Sequence, residues 1–176
     1  MERFIFLTLD LLVMAFYING AKGCCCPQEW FPRNGVCYKV FDDYKTWADA
    51  KTFCREHRTG CHLASIHSVE ESTALAEYVT NYLRSGGNVW IGLHDPDKNR
   101  NWQWTDKSNY SFRTWKPGEP NNKRYNENCV ELWKSLGYKK WNDEHCASRR
   151  PFLCQCRLYY KLSPSCCRGK KAPGGA

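Results

Sequence analysis

The chain carries 12 cysteines in 176 residues, behind an apolar N-terminal run. An even, dense set of cysteines after a leader reads as a disulfide framework rather than as redox or metal chemistry. No cysteine pair stands at a spacing to histidine that would suggest zinc. Residues 1–23 read as a signal peptide: Glu2 and Arg3 open it, an apolar run extends from Phe4 to Ile18, and Ala21 and Gly23 supply a small-residue exit. Asp10 interrupts the run, which is too short to span a bilayer comfortably. The expectation is a secreted, extracellular protein with no membrane insertion. The leader holds two bases (Arg3, Lys22) and two acids (Glu2, Asp10), so the formal charge of +8 survives its removal. That excess is spread along the chain apart from Arg168, Lys170 and Lys171. In an extracellular chain it argues against nucleic acid and leaves weak attraction to anionic surfaces.

The chain beyond the leader is the size of one ordinary domain. Trp30 to Phe41 predicts two short strands around Pro32-Arg33-Asn34-Gly35. Thr46 to His57 has helical spacing, with Trp47, Ala50, Phe53 and Cys54 on one side. A second helix is predicted from Ser68, where Glu71 completes a capping box; its buried stripe is Leu75, Tyr78, Val79 and Tyr82, and Gly86 is its stop. Beyond Gly87, strand candidates at Val89–Leu93, Trp102–Trp104, Cys129–Trp133, Lys139–Asn142 and Phe152–Cys156 alternate with long polar loops. The stretch from His94 to Asn128 is too long for an unassisted loop in a compact domain. A bound cation and a local disulfide are the expected supports. Residues 158–176 read as a poorly ordered, basic, Cys-containing Gly/Pro tail.

The chemistry concentrates in Glu119-Pro120-Asn121 and Trp141-Asn142-Asp143, with Glu127 between them. Three carboxylates and two amides make an all-oxygen donor set on short loops, which is what Ca²⁺ prefers. Ca²⁺ takes about 6–8 oxygens, so these side chains leave positions open for water or ligand hydroxyls. Hydrolysis by the same carboxylates would need one of them as a proton donor with a raised pKa. Carboxylates committed to calcium are poor proton donors, and His145 and Ser148 lack a third partner, so no enzymatic role is expected.

Taken together, these residues resemble the C-type lectin domain, and closely resemble the secreted lectins of snake venoms. The resemblance runs over residues 24–157, with a core of 26–156. It rests on Cys26-Pro27-Gln28-Glu29-Trp30, Trp90-Ile91-Gly92-Leu93, both oxygen-donor motifs, and Phe152-Leu153-Cys154-Gln155-Cys156. It implies an α+β double-loop fold, two helices with antiparallel sheets and a long calcium-binding loop region. It further implies the disulfides Cys26–Cys37, Cys54–Cys154, Cys61–Cys156 and Cys129–Cys146, which sequence alone does not fix. The ligands carried over are Glu119, Asn121, Glu127, Asn142 and Asp143, holding both Ca²⁺ and a sugar, with a cis peptide bond at Pro120. The order Glu-Pro-Asn resembles the version that selects equatorial 3- and 4-hydroxyls, so mannose-type glycans on glycoproteins or cell surfaces are the expected partners. Galactose-type members carry Gln-Pro-Asp instead. Lys123, Arg124, Tyr125 and Asn126 occupy the intervening loop, where they read as solvated residues in a position to tune glycan choice.

The chain also departs from the pattern. The acidic positions of a second, auxiliary calcium correspond to Asp95, Asn99, Asn122 and Asn128, of which only Asp95 is charged, so that site is expected to be weak or empty. The usual intermolecular cysteine is replaced by Asn109, which opens the N-glycosylation sequon Asn109-Tyr110-Ser111. Cys24, Cys25, Cys166 and Cys167 lie outside the framework and are placed either to join the termini or to link chains into a homo-oligomer. An oligomer would agglutinate cells through avidity, whereas a monomer would only bind. The rival expectation is a non-sugar binder of clotting factors or platelet receptors on the same fold. Retention of every calcium ligand argues against it.

Overall fold

The structure, a computed structural model, describes residues 26–157. The leader at 1–23, Cys24, Cys25, Cys166, Cys167 and the tail at 158–176 lie outside the described residues. Asn34 and Gly35 both adopt positive φ (46° and 76°), the conformation that a tight hairpin turn requires. They join β1 (Phe31–Arg33) to β2 (Val36–Lys45). Helix α1 (Trp47–His57) begins where the Thr46 hydroxyl accepts from the Asp49 N–H, and it buries Trp47, Ala50 and Cys54. Phe53 is only half-buried.

A strand that the periodicity does not predict, β3 (Cys61–Leu63), comes after α1. Its brevity hides it, and its place is set by pairing with the C-terminal strand β8 (Arg150–Arg157). Helix α2 (Val69–Tyr82) is capped by Ser68, whose hydroxyl accepts from Glu71 N–H. The capping box closes one residue early, because the Glu71 carboxylate takes the His67 N–H together with the Tyr38 hydroxyl. Nor does Gly86 end the helix. The chain leaves it at Leu83, which turns into the core, while Tyr82 remains 66% exposed. Burial of Leu83 outweighs that of the amphipathic Tyr82, whose ring lies against Tyr78.

The remaining strands are β4 (Val89–His94), β5 (Gln103–Trp104), β6 (Cys129–Leu132) and β7 (Trp141–Glu144). They form one eight-stranded sheet with order β1-β2-β8-β4-β6-β7, in which β3 pairs β8 and β5 pairs β4. The α+β expectation holds, but the antiparallel sheets are joined into a mixed sheet by a parallel contact between Trp90 of β4 and Phe152 of β8. Cys54–Cys154 and Cys61–Cys156 tie α1 and β3 to β8 across 100 and 95 residues of sequence. Cys26–Cys37 closes the first hairpin, and Cys129–Cys146 joins the start of β6 to the turn after β7. Closing a loop of roughly 100 residues constrains the unfolded chain by about 4–5 kcal/mol in the chain-entropy account.

Besides the local disulfide Cys129–Cys146, the stretch between β4 and β6 has supports within the loop itself. Trp141 N–H donates to Thr114 O (2.9 Å) and Lys116 N–H donates to Trp141 O (2.9 Å), so the loop adds a backbone rung to β7. Trp104, Phe112 and Trp115 each meet the fully buried Trp141 ring edge-to-face, with centroids 5.6, 5.7 and 5.8 Å away.

Gly92 marks the tightest approach in the core. A Cβ there would stand 2.6 Å from Thr105 Oγ1 and 2.7 Å from Leu63 O. Its own N–H donates to Ala64 O at 2.8 Å. We expect Gly92→Ala to destabilise the protein by about 1–3 kcal/mol through overpacking. Denaturant unfolding with the disulfides intact measures this; unchanged stability would show that the strands can separate freely.

Candidate metal and ligand site

The site lies where β6 and β7 meet the long loop. Asn142 stands opposite Glu131 in the register of these strands. Its amide Nδ2 donates to Glu131 Oε1 (3.0 Å) and to Asp143 O (2.7 Å). Both N–H groups are therefore engaged, and the carbonyl Oδ1 is the atom Asn142 has to offer. Glu131 is fully buried, accepting also from Asn88 (2.7 Å) and from Arg150 Nε (2.8 Å). Burial pushes its carboxyl up to about 7, against the pull of the Arg150 guanidinium. Sequence reasoning passed over Glu131; its signal is an acid set inside the apolar strand Cys129-Val130-Glu131-Leu132.

Asp143 is fully buried and braces the Glu-Pro-Asn loop from beneath. Its Oδ1 accepts from Asn121 N–H (3.0 Å), and its Oδ2 accepts from Asn122 N–H (2.9 Å) and from the Arg100 guanidinium (3.1 Å). The Glu119–Pro120 bond is cis. Glu119 accepts from Asn121 N–H (3.1 Å) and pairs with Lys116 Nζ at 3.1 Å. Glu127 accepts from Lys123 N–H (2.7 Å), while its own N–H donates to Asn122 Oδ1 (3.0 Å). Burial, and then the charges of Asp143, Glu144 and Glu119, push the Glu127 carboxyl upward against the Lys123 N–H. Three further carboxylates thus act on Glu127, a field that a cation relieves.

The donor chemistry fits a hard divalent ion: carboxylates from Glu119, Glu127 and Asp143, and amide oxygens from Asn121 and Asn142. The arrangement nevertheless commits all three carboxylates to protein donors. Among the described residues, no group of three or more His, Cys, Asp or Glu side chains is gathered tightly enough to hold an ion. Asn121 is exposed, so its amide is accessible to a ligand, whereas Asp143 has no surface to present to one.

The neighbouring positions serve as loop braces. The buried Asp95 carboxylate accepts from the N–H groups of Asn99 (3.2 Å) and Arg100 (2.7 Å), and its own N–H donates to Asn128 O (2.8 Å). Asn99 caps Asn101 N–H (3.0 Å). Arg100 is a member of the site that no sequence motif singles out. Its guanidinium reaches Asp143, approaches Glu127 O at 3.4 Å, and lies 4.9 Å over the Trp102 ring. Asn109 is exposed on the loop. Nearby, Ser148 donates to Glu144 (3.3 Å) and His145 Nδ1 accepts from Ala147 N–H (3.2 Å), so they do not form a nucleophile–base pair.

Comparison with known proteins identifies the family of the chain. Residues 43–156 match the model of the Lectin C-type domain family. The chain is 68% identical to a C-type lectin of the lectoxin kind from Thrasops jacksonii, over 90% of this chain and 100% of that one. It is 58% identical to a C-type lectin mannose-binding isoform of Oxyuranus scutellatus, over 90% and 100%. It is 53% identical to a C-type lectin galactose-binding isoform of Pseudechis australis, over 89% and 99%. Among solved structures, human lithostathine matches with a TM-score of 0.72 and 33% identity, over 76% of this chain and 100% of that one.

Removing the Arg100 charge leaves Asp143 buried beside backbone donors alone. The arginine side chain is 33% exposed, so solvent screens part of the pair. We expect Arg100→Gln, measured with EDTA present, to lower unfolding free energy by about 1–2 kcal/mol. An equal midpoint in urea for both proteins would show that the two amide donors suffice.

Proposed function

The chain belongs to the C-type lectin family, and on that premise we propose that it is a secreted, calcium-dependent lectin that binds mannose-type glycans. The supporting observation is the Glu119-Pro120-Asn121 segment seated on Asp143, with Asn142 and Glu127 beside it. Matched relatives include one named for mannose and one named for galactose. The family match therefore supports a lectin, and the order of acid and amide in the motif supports the sugar.

In this reading Glu119, Asn121, Glu127, Asn142 and Asp143 hold the calcium. Calcium held there would supply open coordination positions for two vicinal sugar hydroxyls. Carboxylate oxygens of Glu119 and Glu127 accept the hydroxyl protons, and the exposed amide of Asn121 donates to a hydroxyl oxygen. Asn142 contributes through Oδ1 while its N–H groups stay on Glu131 and Asp143. Asp143 acts from below, fixing the loop and supplying charge. Lys116 and Arg100 offset the acidic excess from the protein side. One principal ion suffices for this chemistry, and the auxiliary positions, spent on loop capping, are proposed to hold an ion weakly or not at all.

Residues 1–23 act as a signal peptide, and 24–157 form the lectin domain. No helix among the described residues is long and apolar enough to cross a membrane. Asn109 carries an N-glycan when the sequon is used. Cys24, Cys25, Cys166 and Cys167 link chains or termini, and linked chains haemagglutinate. No catalytic role is assigned, because the carboxylates serve as metal and hydrogen-bond acceptors.

The test is retention on immobilised mannose in calcium, elution by EDTA, and competition by a monosaccharide panel. Mannose is expected to compete and galactose to fail; inhibition by galactose alone would sink the assignment. Converting Glu119→Gln together with Asn121→Asp is expected to weaken mannose binding about tenfold or more and to move preference toward galactose. Retention on neither sugar, alongside binding to a clotting factor or platelet receptor, would favour the rival function.

A further inference from the structure

Beside the proposed calcium site lies a groove that the lectin reading leaves unused. It has a volume of about 360 Å³ and is lined by Arg100, Trp102, Tyr110, Arg113, Trp115 and Pro120. Pro120 belongs to both, so a ligand leaving the Glu-Pro-Asn loop on that side enters the groove directly. A second cavity of about 600 Å³ shares Trp102, Tyr110 and Arg113 with it and adds Lys107. Neither lining contains an Asp or a Glu.

The walls are held by contacts within the protein. Trp102 and Trp115 pack with centroids 5.1 Å apart, and Trp115 rests against Trp141 in the core. Trp115 Nε1 donates to the Tyr110 hydroxyl at 2.9 Å, which holds the tyrosine ring in place. The guanidinium of Arg113 lies 5.0 Å over that ring. Arg113 is exposed, and among the described residues it makes no ion pair. Arg100, by contrast, is neutralised by Asp143. The unbalanced charge of the groove therefore belongs to Arg113, whose planar donor fork suits a carboxylate or sulfate bidentately.

The other basic surface near the site is less suited to an anion. Lys123 and Arg124 line their cavity together with Glu127 and Glu144, so acids face the bases there. The groove beyond Pro120 instead combines aromatic walls with a positive charge free of acidic neighbours in its lining.

We propose that this groove is a second subsite, taking an oxyanion carried by an outer sugar of a glycan whose mannose-type residue sits at the calcium loop. It deepens the lectin reading and rests on it for the inner sugar. Sulfate esters and sialic acid carboxylates share the recognised chemistry.

The experiment compares a mannose-terminated oligosaccharide with its sulfated and its sialylated derivatives by calorimetry in calcium, using the wild-type chain and Arg113→Gln. The anionic derivatives are expected to bind about tenfold tighter than the neutral parent to the wild-type chain. In Arg113→Gln that preference is lost, while the neutral parent binds within about twofold of wild type. A preference for the sulfated or the sialylated arm alone names the source of the oxyanion. Preference unchanged in Arg113→Gln, or absent from the wild-type chain, overturns the proposal. A companion titration with a sulfated sugar in EDTA, read by tryptophan fluorescence, separates the two readings. A shift abolished by Arg113→Gln supports the groove even if the neutral mannoside fails to bind in calcium; no shift in either chain counts against it.

Discussion

Trp141 is the residue on which the rest of the site depends. Its backbone takes both hydrogen bonds of the rung that fastens the long loop to β7, and its ring is the surface onto which Trp104, Phe112 and Trp115 pack. The next residues along the same strand are Asn142 and Asp143. Anchoring of the loop and placement of the donors on β7 are therefore one event. An apolar cluster and two backbone hydrogen bonds fasten the loop from within the protein.

Electrostatics then decides how the loop stands above that floor. Asp143 collects the N–H groups of Asn121 and Asn122 and holds a guanidinium at the same time. A buried carboxylate with three donors is satisfied as an acceptor, which explains how it persists in the core. Glu119 finds a similar balance with Lys116. Glu127 makes no ion pair among the described residues and is pushed upward by burial and neighbouring acids.

Much of this was legible in the chain. Both helices start within a residue of where the sequence predicts, Ser68 as the expected cap and Thr46 as a cap that the spacing alone did not name, because both act within the first helical turn. The proposed oxygen donors are picked out by residue type, and the cysteine framework and fold came from resemblance. Misreadings arose where a distant contact overrode a local rule. Leu83 leaves α2 early for the core, β3 exists only because β8 pairs with it, and the capping carboxylate of Glu71 is shared with Tyr38 from another strand. Arg100 and Glu131 were invisible for the same reason. Each acts through a partner at least 11 residues away, Asp143 in one case and Asn142 in the other. The aromatic loop residues were visible as composition, but their convergence on Trp141 is a property of three dimensions.

The covalent topology has a consequence for the survival of such a protein among proteases. Lys98, Lys107, Arg113, Lys123 and Arg124 all lie exposed between β4 and β6, so that loop offers a tryptic enzyme several accessible targets. A single cut there separates the polypeptide into halves that remain joined by Cys54–Cys154 and Cys61–Cys156. Neither half can diffuse away, and the new ends stay beside the aromatic floor that held the intact loop. A clipped molecule thus remains one particle, heavier by a water, that separates into two chains only on reduction.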